Sequence, residues 1–133
     1  MDLSSNNLSY SKFLSSEILG SSSIKSELNH TNFNETLIKD CNFFRGIFIG
    51  SIFKNSQIKS TKFESGYFKK VTFENVIFEN IDLKDVSYEK CKFINVIFKE
   101  LKNIDSIKDS VIIIDGKKIC GKDVKNYFLE ILT

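Results

Sequence analysis

The chain lacks most of what chemistry needs. It has one histidine and three cysteines, with no C-x-x-C spacing, which argues against a zinc centre. No phosphate loop or dinucleotide fingerprint is present. Nothing approaches the ~18 consecutive apolar residues of a membrane span. No basic start leads into an apolar run, so a secretory signal is not expected. Charge of one sign is missing too: 19 Lys and Arg stand against 17 Asp and Glu, a net of +2. Three cysteines without evident partners suit a reducing cytoplasm, the expected location. Alanine and proline are absent while Ile, Lys and Asn abound, a composition that looks like AT-biased coding.

What the chain has is a period. Every fifth residue from Leu28 is large and apolar or aromatic: Leu28, Phe33, Ile38, Phe43, Phe48, Phe53, Ile58, Phe63, Phe68, Phe73, Phe78, Leu83, Tyr88, Phe93 and Phe98. That series holds 10 of the 13 Phe. A helix repeats near 3.6 residues and a strand at 2, so neither accounts for five. An unbroken repeat over residues 26–100 means a solenoid whose units stack. A second register lies two residues earlier: Ser26, Thr31, Thr36, Cys41, Gly46, Ser51, Ser56, Thr61, Gly66, Val71, Val76, Ile81, Val86, Cys91 and Val96. It is small in the first half, mostly β-branched in the second, and never charged. The other three positions carry nearly all the Lys, Glu, Asp and Asn. Each repeat therefore turns one large and one small side chain inward and three outward.

Thr61-Lys62-Phe63-Glu64-Ser65 and Cys91-Lys92-Phe93-Ile94-Asn95 show the pattern. It resembles the pentapeptide-repeat family: a small residue, a polar one, a large one and two variable ones. The resemblance implies an all-β solenoid, a right-handed quadrilateral β-helix of about four to five coils. Each pentad would form one side and four pentads one coil. At the ordinary inter-strand spacing of about 4.8 Å, the segment 26–100 spans on the order of 18 Å. Residues twenty apart should stack, giving columns Phe33/Phe53/Phe73/Phe93, Leu28/Phe48/Phe68/Tyr88, Ile38/Ile58/Phe78/Phe98 and Phe43/Phe63/Leu83. The packing logic stands without the resemblance, since only a small side chain fits beside a Phe in so narrow a coil.

Corners fall two residues after each large one. Gly50, Asn55, Asn75, Asn80 and Asn95 suit a type II turn, whereas Arg45, Lys70, Lys90 and Glu100 suit it poorly, so mixed turn types are expected. Asn55, Asn75 and Asn95 share a column and can form a hydrogen-bonded ladder. Residues 1–25 are an N-terminal segment with two readings. Leu3, Leu8, Phe13 and Ile18 keep the large phase until Ser23 breaks it, favouring an irregular first coil. Tyr10, Phe13, Leu14 and Ile18 also fit a short cap helix. Residues 101–133 form the C-terminal cap: a closing turn through Leu101, Ile104 and Ile107, a hairpin of Val111–Ile114 and Lys117–Cys120 about Asp115-Gly116, and a helix capped by Asp123.

No catalytic, cofactor or metal residues are nominated, and no enzyme is expected. His30 sits at a corner, Cys41 and Cys91 in the small register, and Cys120 in the cap. Candidate interfaces are two. The helix stripe Val124, Tyr127, Phe128, Ile131 and Leu132 covers the coil end and is expected to dimerise, because in similar proteins such a helix often builds a tail-to-tail dimer. The outward cluster Phe44, Ile47, Ile49 and Ile52 is the second, unless the N-terminal segment folds over it. The expected role is a non-enzymatic protein-interaction or structural module, a homodimer with an unidentified protein partner. The alternative comes from the resemblance: some family members mimic duplex DNA, bind gyrase or topoisomerase IV and protect them from quinolones. Mimicry needs dense negative charge, yet residues 26–100 carry 11 basic and 10 acidic residues, and no loop interrupts the coil. Direct nucleic-acid binding needs a basic stripe. Lys39, Lys59 and Lys99 share a column, but Glu79 interrupts it. No membrane contact is expected.

Overall fold

A computed structural model describes Ser4, residues 6–108 and residues 110–131. Leu3 and Leu132 lie outside the described residues. The chain winds into a β-solenoid of about five coils closed by one C-terminal helix. One side is a parallel sheet of Glu17–Leu19, Leu37–Lys39, Gln57–Lys62, Ile77–Asp82 and Ile97–Lys102. The next is formed by Lys12–Leu14, Asn32–Asn34, Ile52–Lys54, Thr72–Glu74 and the second half of Ser87–Ile94. Ile47–Ile49, Tyr67–Lys69 and the first half of Ser87–Ile94 make a third. The fourth side is held by isolated bridges such as Ser22↔Asn42 and Asn42↔Lys62. The partners are twenty residues apart: Phe33↔Phe53, Ile38↔Ile58, Phe48↔Phe68.

This register brings the large side chains into columns. Phe13, Phe33, Phe53, Phe73 and Phe93 stack face to face with successive centroid distances of 5.0, 4.5, 5.1 and 4.9 Å. Phe48–Phe68 at 4.7 Å, Phe78–Phe98 at 5.2 Å and Phe43–Phe63 at 5.4 Å repeat the arrangement in the other columns. Rings of neighbouring columns meet edge-on or tilted, as in Phe73–Phe78, so each Phe gains both favoured aromatic geometries. The fifteen ladder residues from Leu28 to Phe98 are buried, apart from the half-buried Phe98. The small register fills what remains. Its hydroxyls bond backbone carbonyls, Thr36 Oγ1 donating to Phe13 O at 2.8 Å and Thr61 Oγ1 to Lys59 O at 2.8 Å, so their burial leaves no unmet polar group. Volume is traded within a column: Phe43 and Phe63 face Gly46 and Gly66, while the smaller Leu83 faces Val86. A Cβ on Gly66 would lie 2.9 Å from the Phe63 carbonyl oxygen.

Every corner from Tyr10 to Glu100 places its residue in the left-handed region, with φ between 46° and 67°. Arg45, Lys70, Lys90 and Glu100 comply although their side chains disfavour it. Coil geometry imposes the conformation, and cross-coil bonding sustains it against a cost of roughly 1 kcal/mol per residue. The uniform φ does not follow the residue-by-residue variation expected of the corners. Phe43, Phe63 and Leu83 each accept an i+3 amide bond, from Gly46, Gly66 and Val86, and Leu8 accepts one from Ser11.

Residues 6–25 form a coil, not a helix: Lys12–Leu14 and Glu17–Leu19 pair in register with Asn32–Asn34 and Leu37–Lys39. Ser23 points inward where a large residue belongs, and its buried hydroxyl lacks a hydrogen-bond partner among the described residues. At the other end the register slips. Val111–Ile114 adds in parallel to Ser87–Ile94 with an offset of 22 and then 21 residues, and pairs antiparallel with Lys117–Cys120. The helix runs Lys122–Ile131. It begins two residues earlier than a cap at Asp123 implies: Asp123 lies in the first turn, where its charge favours the helix N-terminus.

Candidate interaction surfaces

Val124 and Phe128 are the helix residues buried against the coil end, with Phe128 touching the rings of Phe98, Phe93 and Tyr88 at 5.2, 6.4 and 6.2 Å. Tyr127 is half-buried beside Phe128, while Ile131 is 40 % exposed. The stripe thus divides between capping and solvent. Leu129, 50 % exposed, was missed by the sequence because it lies off that stripe. Ile97 is also 50 % exposed and opens Ile97–Lys102, the outermost strand of its sheet. No strand pairs with its outer edge among the described residues.

Exposed apolar residues gather at the ends of the rod. Of the eight large ones among the described residues, Tyr10, Leu14 and Leu19 lie in the first coil, and Ile94, Ile97, Leu129 and Ile131 lie in the last coil or the helix. Ile52 is the sole member on the side of the rod. The side cluster is accordingly weaker than its sequence reads. Phe44, Ile47 and Ile49 are half-buried, and Arg45 lies over the Phe44 ring at 5.3 Å. The four residues wrap around three successive sides and form a belt rather than a flat face. Residues 6–25 do not cover them, being a coil of their own.

The polar surface is organised by the same twenty-residue spacing. Asn95 Nδ2 donates to Asn75 Oδ1 at 2.6 Å, and Asn75 Nδ2 donates to Asn55 Oδ1 at 3.1 Å. Lys54–Glu74, Lys59–Glu79 and Glu64–Lys84 form ion pairs at 3.5–3.7 Å. Glu79, which breaks the lysine column in the sequence, is thus the partner of Lys59. His30 stacks on Tyr10 at 5.2 Å, and its ring occupies the space a Cβ on Gly50 would need. Cys41 and Cys91 are buried free thiols and Cys120 is exposed. Burial pushes the Cys91 thiol up to about 12. Among the described residues no group of His, Cys, Asp and Glu is arranged to hold a metal, and no helix is long and apolar enough to cross a membrane.

No family model and no curated protein matches the chain. Among solved structures it resembles Rfr23, a pentapeptide repeat protein from the cyanobacterium Cyanothece 51142, with a TM-score of 0.61 and 8% identity over 77% of this chain and 88% of that one. HetL, a pentapeptide repeat protein involved in heterocyst differentiation regulation from Nostoc sp. strain PCC 7120, aligns over 72% of this chain and 63% of its own at 9% identity and a TM-score of 0.32. Full-length QnrB1, a plasmid-mediated fluoroquinolone resistance protein, aligns over 95% and 97% at 12% identity and 0.33. The first of these, with the five-residue repeat and the stacked columns, defines the class: the chain has the pentapeptide-repeat fold.

Proposed function

We infer that the protein is a non-enzymatic interaction module that self-associates through its C-terminal end and offers the rest of the rod to a protein partner in a reducing compartment. One observation carries this reading: exposed apolar side chains are concentrated at the ends, with Leu129 and Ile131 on the C-terminal helix and Ile97 on a strand whose outer edge is unpaired among the described residues. Such an edge is a template for pairing, and burying apolar groups next to it supplies the driving force. The core is filled with Phe, which leaves the outward side chains and the two ends of the rod to make contacts. The topoisomerase alternative draws no support from the charge balance, since 19 Lys and Arg offset 17 Asp and Glu, and Lys54, Lys59 and Lys84 pair with glutamates along columns.

Sedimentation equilibrium tests the self-association. The wild type is expected as a dimer and Leu129→Lys as a folded monomer, with the far-UV spectrum unchanged. A wild-type monomer refutes the assembly, and a Leu129→Lys dimer moves it to the Phe44 belt or the N-terminal coil. A gyrase supercoiling titration with and without a quinolone is expected to show neither inhibition nor protection. Protection at micromolar protein would instead establish the topoisomerase reading.

A further inference from the structure

Two adjacent columns of the solenoid contain no carboxylate. The first is the corner column Tyr10, His30, Gly50, Lys70 and Lys90. The second is the neighbouring outward column Lys12, Asn32, Ile52, Thr72, Lys92, Ile113 and Lys118, joined partner to partner through consecutive strand pairings. Lys118 enters it because the hairpin slips the register. Val111–Ile114 lies against Ser87–Ile94, and Lys117–Cys120 turns back over it. The hairpin walls off an open groove of about 450 Å³ lined by Lys70, Thr72, Lys90, Lys92, Ile113 and Lys118, with Val111 on its floor. That volume is within the range of small-molecule sites, ~300–1,000 Å³.

On other columns Lys54, Lys59 and Lys84 each pair with a glutamate twenty residues away. Lys70 and Lys90 are stacked neighbours of like charge, which is unfavourable without an anion between them. None of the groove's four lysines makes an ion pair among the described residues. Glu89, on the adjoining side, accepts the Tyr67 hydroxyl at 2.5 Å and lies within electrostatic reach of Lys70 and Lys90, while Glu74 pairs with Lys54 at 3.5 Å; one carboxylate leaves the four lysines with an excess of positive charge. The half-buried Val111 and Ile113 give the groove an apolar floor, and Thr72 lies among the lysines.

We propose that this groove is a binding site for an oligophosphate, a ligand carrying several phosphate groups in a short run. A single monoanion meets one or two ammonium groups, whereas a groove lined by four lysines matches three or more closely spaced negative charges. The chemistry is shared by free inorganic polyphosphate and by nucleoside polyphosphates, whose base would rest on Val111 and Ile113.

Calorimetric titration with inorganic tripolyphosphate and, separately, ATP tests the site. Saturable binding of one ligand per chain is expected, weakened by added salt. Tighter binding of ATP identifies the nucleotide as the source, and equal affinity identifies the phosphate run alone. Lys90→Glu with Lys92→Glu is expected to lower affinity by roughly tenfold or more. Lys39→Glu with Lys99→Glu, an identical charge change outside the groove, should leave it unaltered. All four positions are exposed or corner residues outside the core, and amide shifts of Thr72, Val111 and Ile113 on titration report the site directly. The proposal is overturned by absence of saturable binding at millimolar ligand, by equal losses in the two double variants, or by a single-stranded oligonucleotide binding where tripolyphosphate does not.

Discussion

Removing one ring from the middle of the Phe column examines the packing most sharply. Phe73 is 1 % exposed and stacks between Phe53 at 5.1 Å and Phe93 at 4.9 Å, with Phe68 and Phe78 against its edges at 5.9 and 5.2 Å. Burial of a Phe contributes roughly 1.5–3 kcal/mol by transfer alone, and truncation adds a cavity cost that raises Phe→Ala losses to about 3–5 kcal/mol. Collapse would relieve that cavity, but the backbone opposes it. Thr72 N–H donates to Ser51 O at 3.0 Å and Lys92 N–H to Val71 O at 2.9 Å, holding the coils on either side at strand spacing. Phe73→Ala is therefore expected to cost about 4 kcal/mol, a large share of the 5–15 kcal/mol typical of a domain. Urea titration followed by circular dichroism measures it, with the midpoint falling and the slope unchanged. Pairing it with Phe53→Ala should give losses that do not add, since the two rings share an interface. A loss below about 1 kcal/mol would show that Phe73 is not part of a packed column.

The other expectations are narrower. In the native state a thiol reagent should modify Cys120 rapidly and leave Cys41 and Cys91 until unfolding, because both are buried and Cys91 is shifted to about 12; three thiols reacting at one rate would argue against the fold. Ser23→Ala removes an unpartnered buried hydroxyl and should stabilise by about 1 kcal/mol in the same urea assay; a loss of stability would mean the hydroxyl is bonded. The Tyr67 hydroxyl, and then nearby lysines, hold the Glu89 carboxyl below its ordinary value. A lowered folded value contributes stability above the unfolded pKa, lost as pH falls through the folded one. The gap between wild type and Tyr67→Phe should thus close in acid and stay level near neutrality; a constant gap down to strong acid would remove the bond from the account.

The architecture was legible because its period belongs to no other structure. Fifteen residues in one phase leave little choice, and adding twenty to a residue number finds its neighbour: the Asn55/Asn75/Asn95 ladder followed from that arithmetic. The ends were harder. Ser23 interrupts the large register, so a helix competed with the first coil until strand pairing decided it. Corner residues were misjudged on propensity, because a left-handed φ at Lys70 or Arg45 is set by the coil and not by the side chain. The helix stripe was readable as apolar, but which members face the coil depends on how Phe128 seats on Phe98. The lysine groove was out of reach. Its fourth lysine joins the others through a register slip from 20 to 21 residues that no periodic count contains.

The account stands on residue i lying over residue i+20. A nuclear Overhauser experiment on protein labelled at Phe tests this most directly. Ring contacts are expected between Phe33 and Phe53, Phe53 and Phe73, and Phe73 and Phe93, all at centroid spacings near 5 Å, along with amide contacts across Thr72 and Ile52. Cross-peaks linking residues at any other constant offset, or none between these rings in a folded sample, would contradict it.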